Sequence, residues 1–176
     1  MLFRSLAHYD AIVFGVRALN IDTRITQKLP LIYDYIRNGG VVVMQYNVNS
    51  RLQEEHFSPK PMPFAITRAR VTEEDSNVEF TAPADPVLNY PHKITAQDFD
   101  GWVQERGLYF AENIDPGYRT PLAMNDKNEP LHNGSLLIYR MGKGKFVYTS
   151  LSFFRQLPAG VPGANRLFVN LLTKEN

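Results

Sequence analysis

The chain has 176 residues, of which 44% are hydrophobic, 12% aromatic and 21% charged; this ordinary globular composition excludes intrinsic disorder, a coiled coil and a low-complexity tail, and the length suits a single domain over 1–176. Nineteen Lys and Arg against 18 Asp and Glu leave a formal charge of +1, so no strong field draws the chain to nucleic acid or anionic lipid. Zero cysteines exclude disulfides, a thiolate zinc site and a cysteine nucleophile.

No apolar run approaches the ~20 residues of a membrane span. The opening MLFRSLAHYDAIVFGVRALN is interrupted at Arg4, His8 and Asp10, unlike the apolar core of a signal peptide. A mature domain cut from an exported protein reads the same way, so the compartment stays open, with an extracytoplasmic site expected if a parent protein is exported.

Residues 10–16 (DAIVFGV) predict a strand buried on both faces of a parallel sheet. From Thr23 to Asn38, Ile25, Leu29, Ile32, Tyr35 and Ile36 recur on one helical face, and Gly39-Gly40 supplies the stop. VVVMQYN (41–47) then predicts a second buried strand, completing a βαβ unit whose crossover is expected to be right-handed. Ligands bind such sheets at the carboxyl ends of strands. That rule marks Arg17 to Asn20 and Gln45 to Asn49. A surface ion pair for Arg17, and loop capping for Gln45 and Asn47, explain the same residues equally well.

The middle, 50–118, has no long helical period and offers short strands and loops, including PFAITRARV (63–71) and the stretch 86–113. Over 98–109, Asp98, Asp100, Trp102, Gln104, Glu105, Arg106 and Tyr109 surround Gly101 and Gly107. Such a mixture can enclose a polar ligand, a sugar above all, through planar hydrogen bonds and a stacking face. The same residues also serve a structural loop that must satisfy its own backbone groups.

RTPLAMND (119–126), SLLIYRM (135–141) and KFVYTSLSF (145–153) are strand-like, with GKGK (142–145) as a turn. A closing helix over Asn165 to Leu172 groups Leu167, Phe168, Leu171 and Leu172, with Gly163 or Ala164 near its start. MGKGK lacks the GxxxxGK[ST] spacing of a phosphate loop, and Gly15 alone is no dinucleotide fingerprint. His8, His56, His92 and His132 form no HxH or HExxH pair, so they read as loop histidines and no metal or cofactor is expected. Asp98, Asp100 and Glu105 are the candidates for a carboxylate-dependent sugar hydrolase. Ser150 and Ser152 lack a GxSxG elbow and read as sheet-end hydroxyls.

The stretches YDAIVFGVRALN, LPLIYDYIRNGGVVVMQYN, ITAQDFDGWVQERGLYF and GKGKFVYTSLSFFRQLPAGVPGANRLFVNLL resemble the domain that follows the catalytic portion of bacterial PIG-L (LmbE-like) deacetylases. That domain is similar to the class I glutamine amidotransferase-like fold and to trehalose-utilisation (ThuA-like) proteins. The resemblance covers nearly the whole chain. It implies a flavodoxin-like, mainly parallel sheet with flanking helices and a long irregular insertion, lacking its first strand and helix, so that a partner chain or a further segment is expected to cover an exposed edge or face. It also implies a PIG-L-type deacetylase domain in the parent chain.

The departures carry chemical meaning. Amidotransferases place a cysteine just after the strand equivalent to VVVMQYN, where this chain has Gln45, Tyr46 and Asn47; their histidine falls near Ser152 to Phe154, where it has Ser-Phe-Phe. Acyl transfer needs a nucleophile and a base together. The sequence therefore points to a non-catalytic domain that binds carbohydrate or positions substrate, with Arg17, Asn20, Gln45, Asn47, Trp102, Gln104, Glu105, Arg106 and Arg155 as the candidate polar pocket. The arginines would bridge an acidic or hydroxylated ligand, the amides read hydroxyls, and Trp102 stack on a sugar face. A structural or homo-oligomerising scaffold uses the same residues to tie loops to the sheet.

Overall fold

The computed structural model describes residues 6–50, 52, 58–59 and 62–175. At its centre lie four strands in the spatial order β1 (Ala11–Phe14), β2 (Val41–Gln45), β10 (Gly144–Thr149) and β9 (Leu136–Met141). β2 runs parallel to both its neighbours, with Val41 opposite Ala11 and Lys145, while β9 returns antiparallel to β10. The fold is therefore mixed α/β around a mainly parallel sheet.

Successive strand residues face opposite sides of a sheet, and the continuous run Val41–Met44 serves both sides of β2. Val41 and Val43 join Val147, Leu136 and Ile138 in a core closed by Leu167 and Leu171 of α4 (Pro162–Leu172). Val42 and Met44 join Phe146, Tyr148 and Leu137 against Leu29, Ile32, Tyr35 and Ile36 of α2 (Leu29–Arg37). Helices thus cover both faces of the central strands.

β1 departs from the expected double burial. It is an outer strand, paired only with β2 among the described residues, and Val13 is 43% exposed. The expected helix over 23–38 also divides. Thr23–Lys28 is a 3-10 turn in which Asp22 Oδ1 accepts from Arg24 N at 3.0 Å, and a one-turn helix, α1 (Ala18–Ile21), precedes it. The regular helix starts only at Leu29 because Pro30 has no N–H and its ring clashes with the carbonyl of a preceding helical turn. Pro162 sets the start of α4 in the same way, one turn ahead of the expected Asn165.

The β9–β10 turn is tighter than 142–145. Gly144 already pairs with Met141, leaving Gly142-Lys143 as the loop, and Gly142 has φ +60, the conformation a type II′ hairpin requires at its first loop residue. Between β2 and β9 the described residues form three antiparallel ladders: β3 (Ala65–Ile66) with β7 (Ala111–Glu112), β4 (Arg70–Val71) with β6 (Gly107–Leu108), and β5 (Val78–Phe80) with β8 (Leu122–Met124). The expected strand 119–126 is confined to β8. A short helix, α3 (Phe153–Gln156), follows β10.

Candidate functional site

The three parallel strands release the chain at one end of the sheet: β1 into 15–17, β2 into 46–48, and β10 into 150–152. Arg17 stands in the left-handed region at φ 59, and its N–H donates to the Tyr46 carbonyl at 2.8 Å. Among the described residues its guanidinium has no hydrogen-bond or ion-pair partner. Tyr46, the first residue after β2, stacks on Tyr109 with ring centroids 5.4 Å apart and meets the edge of Phe154 at 5.7 Å.

Tyr109 is itself left-handed, at φ 60, an uncommon state for a bulky side chain. Its carbonyl accepts from Ser150 Oγ at 2.9 Å and from Tyr148 Oη at 3.3 Å, so two hydroxyls of the β10 end hold it there. Gly107 permits this close approach, since a Cβ on it would stand 2.6 Å from the Ser150 carbonyl. Arg155, on α3, lies over the Phe154 ring at 4.8 Å and donates through Nε to Glu105 Oε1 at 2.7 Å.

Burial raises the Tyr46 hydroxyl above its ordinary range; Arg17 and Arg155 pull it down, whereas Tyr109 and Glu105 push it up. At neutral pH the phenol is therefore protonated. Gln45 Oε1, at the end of β2, is buried with no hydrogen-bond partner among the described residues. Among the described residues, this end of the sheet thus offers two guanidinium groups, one carboxylate, a protonated phenol and partly exposed aromatic rings.

Of the nine residues singled out from sequence, Arg17, Gln45, Glu105 and Arg155 lie around this end. The others are engaged elsewhere. Asn20 pins the loop after β2, its Oδ1 accepting from Val48 N at 2.9 Å and its Nδ2 donating to Val48 O at 3.0 Å. Asn47 is fully buried, with Oδ1 accepting from Leu19 N at 3.0 Å. Trp102 is only 2% exposed; it packs on Phe99 and Phe153 and donates through Nε1 to Asp98 O at 2.9 Å, so protein already occupies its stacking faces. Arg106 is buried too, donating through Nε and Nη2 to Ser76 O and through Nη1 to Phe99 O. Gln104 is exposed at φ 67, its N–H donating to the Glu74 carboxylate.

The carboxylates of 98–105 have separate partners. Asp98 Oδ2 accepts from Thr95 N at 2.8 Å while Oδ1 faces Arg166 at 3.1 Å; Asp100 is exposed, and Glu105 holds Arg155. His56 lies outside the described residues, and among those described no three His, Asp or Glu side chains are placed to hold a metal ion. Sequence reasoning left Tyr46, Tyr109 and Phe154 out of the pocket, although Tyr46 falls inside the marked window 45–49 and Phe154 adjoins Arg155. A separate groove of about 460 Å³ runs beside α2, lined by Leu6, Tyr9, Leu31, Ile32 and Tyr35 among others.

No protein-family model and no curated protein sequence matches the chain. Solved structures do. It is similar to the cytoplasmic protein STM3548 from Salmonella typhimurium, with a TM-score of 0.57 and 19% identity over 98% of this chain and 75% of that one. The cytoplasmic protein STM1381 from Salmonella typhimurium LT2 gives a TM-score of 0.56 and 16% identity over 97% and 74%. Likeness at these identities shows the fold alone. Among the described residues no helix is long and apolar enough to cross a membrane.

Proposed function

We propose that the chain is a non-catalytic, amidotransferase-like accessory domain, flavodoxin-like in its finer fold, that binds carbohydrate and positions it for an attached PIG-L-type N-deacetylase domain. One contact carries this reading: Tyr46 and Phe154 pack edge to face at 5.7 Å. They stand where the resemblance would put the cysteine of an amidotransferase and beside where it would put the histidine. Aromatic rings fill the place of both reactive groups, and a side chain that only packs and donates hydrogen bonds can hold a ligand without transforming it. The test is a glycan and amino-sugar binding screen on the wild type and on Tyr109→Asn, which removes the ring while tolerating the left-handed backbone. A specific binder lost in the variant is expected; absence of any specific binder contradicts the proposal.

A second reading, a structural or dimerisation scaffold, draws support from the outer strand. Val13 is 43% exposed on β1, and Tyr9, Ile21 and Leu31 nearby in sequence are exposed as well. Edge strands of this kind pair readily with another chain. Sedimentation of the wild type and of Val13→Lys tests it, a dimer dissociated by the lysine being the outcome it requires.

A further inference from the structure

We infer that the ligand of this surface is an acidic sugar, its carboxylate held between Arg17 and the outer nitrogens of Arg155 and its ring resting against Tyr109 and Phe154. The inference rests on the carbohydrate-binding reading and narrows it to one chemical class.

The charge count at the end of the sheet comes first. The chain as a whole is nearly neutral, at +1, yet among the described residues of this end two guanidinium groups, Arg17 and Arg155, accompany one carboxylate, Glu105, which pairs with Arg155. That carboxylate takes only Nε of Arg155, leaving Nη1 and Nη2 without a hydrogen-bond partner among the described residues. Arg17 has no partner for any of its guanidinium nitrogens among them. A guanidinium fork matches a carboxylate in geometry as well as in charge.

The two arginines are placed differently: Arg17 is exposed, with only its backbone tied to Tyr46, whereas the Arg155 side chain is laid on Phe154 and anchored by Glu105. Anchoring before binding lowers the ordering cost of capture. The protonated Tyr46 hydroxyl, beside both arginines, supplies a donor for a sugar hydroxyl.

The same charge excess discriminates between sugars. A free amino sugar carries an ammonium group and meets like charge, which an interface penalises. A neutral sugar gains hydrogen bonds from the guanidinium groups but no pairing of opposite charges. The surface therefore ranks acidic above neutral above cationic ligands.

The experiment titrates the whole chain with glucuronate, its neutral amide glucuronamide, and glucosamine, at low and physiological salt. Glucuronate is expected to bind at least about tenfold more tightly than glucuronamide, a difference of about 1.4 kcal/mol, and to weaken with salt. Arg17→Asn, compatible with the left-handed backbone, should weaken glucuronate several-fold more than glucuronamide, closing most of the gap between them, with the melting temperature read alongside as the control for folding. If glucuronamide or glucosamine binds as well as glucuronate, the acidic-sugar inference fails while carbohydrate binding stands. If none of the three binds and the wider screen also finds no sugar, both fail; if the screen finds only neutral sugars, the acidic inference alone is overturned.

Discussion

Tyr46 and Tyr109 stack with centroids 5.4 Å apart and planes 18° from parallel, joining the first residue after β2 to a residue of the long middle segment. Offset aromatic pairs contribute about 0.5–1.5 kcal/mol beyond the area they bury. The stack holds the middle segment against the sheet at the candidate site. Tyr46→Phe keeps the ring and should leave the melting temperature nearly unchanged, whereas Tyr46→Ala removes a buried ring and should cost about 3 kcal/mol in chemical denaturation. Equal losses in the two variants would show that the hydroxyl, not the stack, is the stabilising part.

Trp102 is a core residue by its contacts, so its truncation reports on folding before it reports on any ligand. Trp102→Ala should destabilise by about 3–5 kcal/mol, and Trp102→Phe by less, with ligand affinity retained in the folded phenylalanine variant. Loss of binding in a Trp102→Phe protein of full stability would reopen a sugar-stacking role.

Arg106 binds two backbone carbonyls far apart in sequence, Ser76 O and Phe99 O, with its guanidinium also near the Phe99 and Trp102 rings. Burial lowers its pKa, while Asp100, Asp75 and Glu74 oppose that fall. Lysine has no planar fork to span both carbonyls. Arg106→Lys should therefore cost about 2 kcal/mol and speed amide hydrogen exchange over 98–107. Unchanged exchange there would refute the bracing role.

At the opposite end of the sheet, Glu175 pairs with Arg119 at 2.7 Å and with Lys145 at 3.7 Å. Burial pushes its carboxyl upward, but the Arg119 hydrogen bond and the charges of Arg119 and Lys145 outweigh it, leaving the pKa below the usual carboxylate value. A folded pKa below the unfolded one gives stability that is present above about pH 4.3, the ordinary glutamate value, and is lost as pH falls through the lower folded value. Glu175→Gln should lower stability near neutral pH and flatten the acid limb of the stability curve. Lys145 shifts in the same direction, since burial lowers its pKa as well, so stability again rises as pH climbs, here from the folded value toward about 10.4. An acid limb identical in wild type and Glu175→Gln would contradict this account of the C-terminal ion pairs.

The sheet was legible where the pattern is local. Val41–Met44 is apolar at every position and can only serve two faces, so a strand buried on both faces follows from sequence. Ala11–Phe14 reads the same way, but a strand's own residues do not say whether it has one neighbour or two, and β1 proved to have one among the described residues. Pro30 and Pro162 were present as start signals, yet apolar periodicity alone set the expected bounds too early in one helix and too late in the other. At the site, the rule that ligands meet the carboxyl ends of strands marked Arg17 and Gln45, and the mixture in 98–109 marked Glu105. Composition could not tell which way the polar groups of that loop turn. Arg106 and Trp102 point inward because their partners, Ser76, Phe153 and the backbone of 98–99, arrive from other parts of the fold.

The central claim is that the carboxyl end of the parallel strands is the ligand face. Its most direct test is an NMR titration of the isotopically labelled chain with the tightest sugar from the screen, following backbone amide shifts. Perturbations clustered at Arg17, Tyr46, Glu105, Tyr109 and Arg155 are predicted. Shifts confined to the groove beside α2, at Leu6, Tyr9, Leu31 and Tyr35, or scattered over the surface without saturation, would contradict it.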